Sequence, residues 1–217
     1  MLQIKNLSVK VGEKQILNQI YFDFETGKNY CILGKNGSGK SSLAMTLAGN
    51  PKYEISEGEL LLDGQHLTEM TPDERNKAGI FLTFQNIPEI PEVKLFEFLK
   101  TIYDARAEKP STFLEFKKII EPLMAELEIE KAFLWRDLNV GFSGGEKRKI
   151  EVLQIKLLKP KYIILDEIDS GLDVNAVRQV AELLKAVNTQ ENSFIVITHL
   201  FEMLQELPLE KILILEQ

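Results

Sequence analysis

The sequence predicts an α/β protein built on a mostly parallel sheet with an antiparallel β subdomain and an inserted α-helical subdomain. Three features carry that reading. Short apolar runs of strand length recur at Tyr30–Leu33, Ile80–Phe84, Lys161–Leu165 and Ser193–Thr198, with helical stretches between them. Strands alternating with helices imply parallel pairing and a sheet covered on both faces. Residues 1 to 30 instead alternate apolar and polar positions in short runs, as antiparallel strands do. Between about residues 86 and 140 the pattern turns helical and is broken by prolines.

Composition narrows the class. The chain has 217 residues, enough for one large domain or a core with an inserted subdomain. Apolar residues make up 44% and charged residues 27%, the balance of a soluble globular protein. A net charge of −7 argues against a basic stripe for nucleic acid. No apolar run approaches the roughly 20 residues of a membrane span, so direct membrane insertion is not expected. The first residues, Met1-Leu2-Gln3-Ile4-Lys5, do not read as a secretory signal. One cysteine, Cys31, forms no internal disulfide, and a cytoplasmic location is the expectation. One cysteine and two histidines also cannot by themselves build a four-cysteine metal centre.

In order along the chain, Gly12-Glu13-Lys14 and Thr26-Gly27-Lys28 punctuate the first strands. Tyr30–Leu33 is a buried strand, and Ser42 to Ala48 a helix stopped by Gly49-Asn50-Pro51. Glu59–Leu62 is a strand followed by an Asp63-Gly64 turn. Thr71-Pro72-Asp73-Glu74 starts a helix, with threonine as cap, proline in the first turn and glutamate three residues on. Gln85 to Pro91 contains two prolines and is expected to be irregular. Helices follow at Val93–Tyr103 and Ser111–Glu121, the second ended or kinked by Pro122, with a further turn or two of helix at Leu123–Leu127. A helix then runs to Leu158, a strand ends at Asp166-Glu167, and Val174–Val187 is an amphipathic helix. Ser193–Thr198 is a strand, Leu200–Leu207 a helix and Lys211–Leu215 a last strand. The expected organisation is a core from 1 to 85, a helical subdomain from 86 to 140, and a second core part from 141 to 217.

Three segments carry chemistry. Gly34-Lys35-Asn36-Gly37-Ser38-Gly39-Lys40-Ser41 fits the pattern of a phosphate-cradling loop and sits between a strand and a helix, as that loop must. Its glycines let backbone N–H groups turn towards an anion, and the helix N-terminus beginning at Ser42 adds partial positive charge. Lys40 is placed for the β- and γ-phosphates of a nucleotide, and Ser41 for Mg²⁺. Asp166 and Glu167 end a buried strand, where open α/β sheets place ligands. Asp166 suits the Mg²⁺ shell, and Glu167 suits a water attacking the γ-phosphate. Ser143-Gly144-Gly145-Glu146 has the spacing of a capping box. A capping box does not explain two glycines at a helix start, where each is a poor helix former; they make a second anion site. Two subunits arranged head to tail would bring this turn to the nucleotide held by the other subunit's loop.

These segments, with Gln85 after a strand, Ser170-Gly171-Leu172-Asp173 and Thr198-His199, stand in the order found in ABC ATPase cassettes, and the chain resembles that family over nearly its whole length. The resemblance implies the family's fold and ATP hydrolysis. It also implies that Gln85 touches Mg²⁺ or the attacking water, that Ser143 and Gly145 bind the γ-phosphate across a transient dimer, that Asp173 lies at the seam, and that His199 contacts the γ-phosphate. Two departures stand out: Val11 occupies the place of the aromatic that usually stacks on adenine, and Glu146 replaces the usual glutamine. Within the family, Ala48–Glu54, Gly79–Gln85, Glu89-Ile90-Pro91, Asn139–Lys147 and Leu165–Asp173 look like SufC, the ATPase of the SUF iron–sulfur cluster assembly system. That likeness implies SufB- and SufD-like scaffold partners that dock on the helical insertion and the Gln85 loop. The alternative is the ATP-binding subunit of an ABC transporter, which usually has different residues at the Ile168-Asp169 position. SufC proteins usually continue past the strand at Lys211–Leu215, where this chain has only Glu216-Gln217.

Overall fold

The structure, a computed structural model, describes residues 1–168, 174–198, 207 and 209–215. The expected helix at Leu200–Leu207 lies outside the described residues, apart from Leu207 itself. The chain divides into two compact units. One comprises Met1–Phe84, Pro160–Ile168 and Asn188–Gln217; the other comprises Gln85–Lys159 and Asp169–Val187.

The first unit holds two sheets. Strands β1 (Leu2–Val11), β2 (Lys14–Phe24), β4 (Glu54–Leu62) and β5 (Gln65–His66) form an antiparallel sheet in the order β2-β1-β4-β5. Strands β3 (Tyr30–Leu33), β6 (Ile80–Leu82), β9 (Tyr162–Asp166), β10 (Ser193–Ile197) and β11 (Lys211–Ile214) form a parallel sheet in the order β11-β3-β10-β9-β6. The alternation in β1 explains its place: Leu2, Ile4, Leu7 and Val9 are buried, and β1 pairs on both sides. The runs in β9 and β10 are buried at every position, as in parallel strands covered on two faces. Tyr162 ties the two sheets together. Its hydroxyl accepts from Leu2 N at 3.0 Å and donates to the Phe24 carbonyl at 2.8 Å.

Helix α1 (Lys40–Leu47) packs Leu43, Ala44 and Leu47 into the same core as both sheets. Its last turn is satisfied from a distance. Arg75, buried on helix α2 (Pro72–Ala78), donates from Nη1 to the Thr46 carbonyl at 2.5 Å and the Leu47 carbonyl at 3.3 Å. A cation at a helix C-terminus meets both the orphan carbonyls and the dipole. Helix α2 has the capping box read from Thr71 and Glu74.

The second unit is mostly helical, with α3 (Leu95–Asp104), α4 (Phe113–Glu126), α5 (Gly144–Leu158) and α6 (Val174–Val187). One local expectation fails here. Ile90–Lys94 is a strand, β7, pairing with β8 (Asp137–Leu138), so the helix expected from Val93 starts at Leu95. Pro91 is tolerated because a two-stranded ribbon is all edge. Helix α4 runs through Pro122 to Glu126, so the proline does not end it and the helical turns expected from Leu123 belong to the same helix. Phe116, Ile120 and Met124 are all fully buried one turn apart, and that stripe holds the helix together across the missing N–H.

Candidate nucleotide site

The first unit gathers one group of candidate residues. The loop from Gly34 to Ser41 leaves β3 and enters α1, with Gly37 and Gly39 at φ of 86° and 96°. Gly39 has a second reason to be glycine: a Cβ there would lie 2.5 Å from Leu17 Cδ2, because β2 packs against the loop. At Gly37 nothing lies within 4 Å of the Cβ position. Lys40 is buried and folds back, donating from Nζ to the Gly34 carbonyl at 2.9 Å and the Lys35 carbonyl at 3.2 Å. A Ser38 N to Lys35 carbonyl bond of 3.1 Å closes the turn. Ser38 Oγ is buried with no hydrogen-bond partner, an orphan that a phosphate oxygen would satisfy.

The carboxylates meet this loop. Ser41 Oγ donates to Asp166 Oδ1 at 3.1 Å. Asp166 is buried, and burial pushes its carboxyl above the usual carboxylate range. The Ser41 hydrogen bond opposes that shift and the neighbouring Glu167 charge adds to it. Asp166 is set by β9 and by Thr83, whose Oγ1 accepts from Asp166 N at 3.3 Å and donates to the Ile164 carbonyl at 3.2 Å. Glu167 takes φ of 48°, a left-handed conformation that costs a non-glycine residue about 1 kcal/mol. Its N–H donates to the Ile197 carbonyl at 2.8 Å. Glu167, Asn36, Gly37, Gly39, Lys40, Ser41 and Ser42 line one cleft of about 450 Å³, and Ile16 of β2 supplies its apolar wall. In the sequence Ile16 and Thr83 read only as strand residues. Their periodicity marks them as strand, and nothing local in sequence says which end of the sheet they reach.

The second unit gathers the others. Ser143 caps α5, its Oγ accepting from Glu146 N at 3.2 Å while Glu146 Oε2 accepts from Ser143 N at 2.7 Å. Gly144 and Gly145 form the first turn, and nothing lies within 4 Å of a Cβ position on Gly145. Ser143, Gly145 and Glu146 border a cavity of about 280 Å³ with Ile129, Ile150 and Val180. The Gln85 carbonyl accepts from Arg148 Nη2 on α5 at 3.3 Å. Arg148 is itself held by Glu151 at 2.6 Å, both buried. Asp173 and His199 lie outside the described residues.

Comparisons with known proteins bear on the family and the fold. A family model described as ABC transporter matches residues 17–170. The chain belongs to the ABC transporter family, and it is an ABC-type ATPase. It is 45% identical over 203 residues to "Probable ATP-dependent transporter ycf16" of Antithamnion sp., covering 92% of this chain and 81% of that one. It is 40% identical to "Probable ATP-dependent transporter SufC" of Escherichia coli (strain K12), covering 92% of this chain and 82% of that one. Within the family it is therefore of the SufC type. The fold superimposes at a TM-score of 0.82 on the ATP-binding cassette MJ0796 bound to ADP and Pi, at 23% identity over 100% of this chain and 94% of that one.

Proposed function

We propose that the chain is the ATPase subunit of an iron–sulfur cluster assembly machinery, hydrolysing MgATP in a head-to-tail dimer to move a SufB–SufD-type scaffold. The observation that carries the ATPase part is the cleft shared by Lys40, Ser41 and Glu167. The SufC likeness, which includes the Glu167-Ile168-Asp169 run, supports the assembly part. The relatives' printed names favour transport as the second reading.

In this reading the N–H groups from Gly34 to Ser42 and the Lys40 ammonium hold the β- and γ-phosphates. Ser41 and Asp166 fit a hard cation, one hydroxyl and one carboxylate already 3.1 Å apart, and Gln85 would join them. When bound, Mg²⁺ would spread the charge that builds on the phosphate oxygens. Glu167 accepts the proton of the attacking water as the new P–O bond forms and the bond to the β-phosphate oxygen breaks. Ser143, Gly144 and Gly145 of a second copy close on the γ-phosphate, with His199 beside it and Asp173 at the seam. Among the described residues no helix is long and apolar enough to cross a membrane. The working location is the cytoplasm.

Two experiments test this. Lys40→Ala is expected to lower ATP turnover by about a hundredfold or more; turnover near wild type contradicts the site. Native co-purification is expected to return soluble scaffold subunits, and recovery with a membrane permease contradicts the assembly reading.

A further inference from the structure

One stretch of the second unit has polar contacts that the proposed ATPase chemistry does not use. The segment from Gln85 to Lys94 is held along its length to the segment that leads into α5. Asn139 Nδ2 donates to the Pro88 carbonyl at 2.9 Å. Lys147 Nζ pairs with Glu89 Oε1 at 2.7 Å. Ile90 pairs with Leu138, and Asp137 holds both Glu92 N at 3.2 Å and Lys94 Nζ at 2.6 Å.

Asn139 is specialised for this place. It sits at φ of 63°, where asparagine is better tolerated than most residues. It is buried, and its Oδ1 has no partner. A buried carboxamide left half satisfied is costly, so its one bond, to Pro88, is what the position retains. The turn from Asn139 to Ser143 is stiff as well. Phe142 N donates to the Asn139 carbonyl at 3.3 Å. The Phe142 ring packs on Phe133 at 4.7 Å, and the Arg136 guanidinium lies over it at 4.4 Å. Lys147 continues the connection two residues beyond Gly145. The Glu89 side chain is about half exposed, and exposed ion pairs add little to fold stability. What this pair supplies is registration.

We propose that Asn139, Lys147 and Glu89 are positioning residues that clamp the Gln85–Lys94 segment to the Ser143–Gly145 turn, so that the two move as one piece. The inference rests on the ATPase reading above and deepens it. A partner that displaces the segment around Pro88-Glu89-Ile90-Pro91 displaces the anion turn with it, and a γ-phosphate that orders the turn orders the segment. None of the three residues touches the nucleotide, so the clamp acts on kcat through the turn's position. ATP binding by the Gly34–Ser41 loop of the free chain is left unchanged.

A charge swap tests the clamp, with kcat, KM and binding of a fluorescent ATP analogue measured on the full chain. Glu89→Lys and Lys147→Glu alone are each expected to lower kcat about tenfold with analogue affinity unchanged, since small misplacement of a reacting group has effects of that order. The double variant is expected to return to within about twofold of wild type, because the pair is remade with its ends exchanged. Wild-type kcat in both single variants overturns the proposal, and so does a double variant no better than the singles. Asn139→Gly, which keeps the positive φ and removes the amide, is expected to lower kcat in the same way. If Lys147→Glu does not fold, Glu89→Gln and Asn139→Gly decide, and wild-type kcat in both overturns the clamp. An unmodified chain that turns over no ATP defeats the ATPase reading and the clamp with it; a fully active chain whose variants match it defeats the clamp alone.

Discussion

Gly58 shows how much one backbone position sets here. It sits at φ of 88° in β4, opposite the irregularity between Lys5 and Ser8 of β1, and a Cβ there would overlap the Asn6 carbonyl. Backbone cannot swing aside as a side-chain tip does. Gly58→Ala is therefore expected to destabilise the fold by about 3 kcal/mol, from the left-handed conformation and the overlap together. A urea titration checks this, and an unshifted midpoint contradicts it. The same β1–β2–β4 sheet carries Leu17 and Ile16 to the phosphate loop, so the substitution also weakens the wall of the cleft. Residue chemistry was legible in sequence where spacing alone defines it. The Gly34–Ser41 loop, the Ser143–Glu146 capping box and the Asp166-Glu167 pair are all spacing patterns. Ile16, Thr83 and Arg75 were not legible as site supports, because their roles come from what the sheet and the α1 terminus bring to them from afar.

Among the elements, β11 is an edge strand with a specific electrostatic tie. Glu25, after β2, accepts from Lys211 of β11 at 2.5 Å and from Lys28 at 2.6 Å. These hydrogen bonds, Lys211 first, hold the Glu25 carboxyl down to about 2. The Lys211 ammonium is correspondingly raised, with Glu25 as the first cause. A depressed carboxyl contributes stability above its ordinary range near 4.5 and loses it as pH falls towards 2. The melting temperature of wild type is thus expected to exceed that of Glu25→Gln at pH 7, with the gap closing between about pH 4.5 and 2. A gap that stays constant through that window contradicts the assignment. Elements with long, regular patterns were read well, as β9 and α6 show. The error fell at Ile90–Lys94, while at Pro122 the sequence left open whether the helix ends and the structure shows that it continues. At both prolines tertiary context decides: an edge ribbon needs no N–H at Pro91, and the buried Phe116–Ile120–Met124 stripe outweighs one lost bond in α4.

For the molecule as a whole, the candidate groups fall on two units of the chain: Gly34–Ser42 with Asp166 and Glu167 on one, Gln85 and Ser143–Gly145 on the other. The motifs themselves were legible in the sequence; their grouping on these units was not, since Gln85 and Ser143–Gly145 read there as parts of the core, 1–85 and 141–217. Geometry across a dimer was not legible either, since periodicity and spacing describe one chain. In the proposed mechanism the phosphate loop is one half of a site that a second copy completes, so ATP should both assemble the dimer and be consumed by it. Glu167→Gln separates these events by removing the proton acceptor while leaving the loop intact. The most direct measurement is light scattering of the Glu167→Gln chain with and without saturating MgATP. The account predicts a monomer without nucleotide, a dimer with it, and a return to monomer when Ser143→Arg is added. A Glu167→Gln chain that stays monomeric at saturating MgATP, or a dimer indifferent to Ser143→Arg, contradicts it.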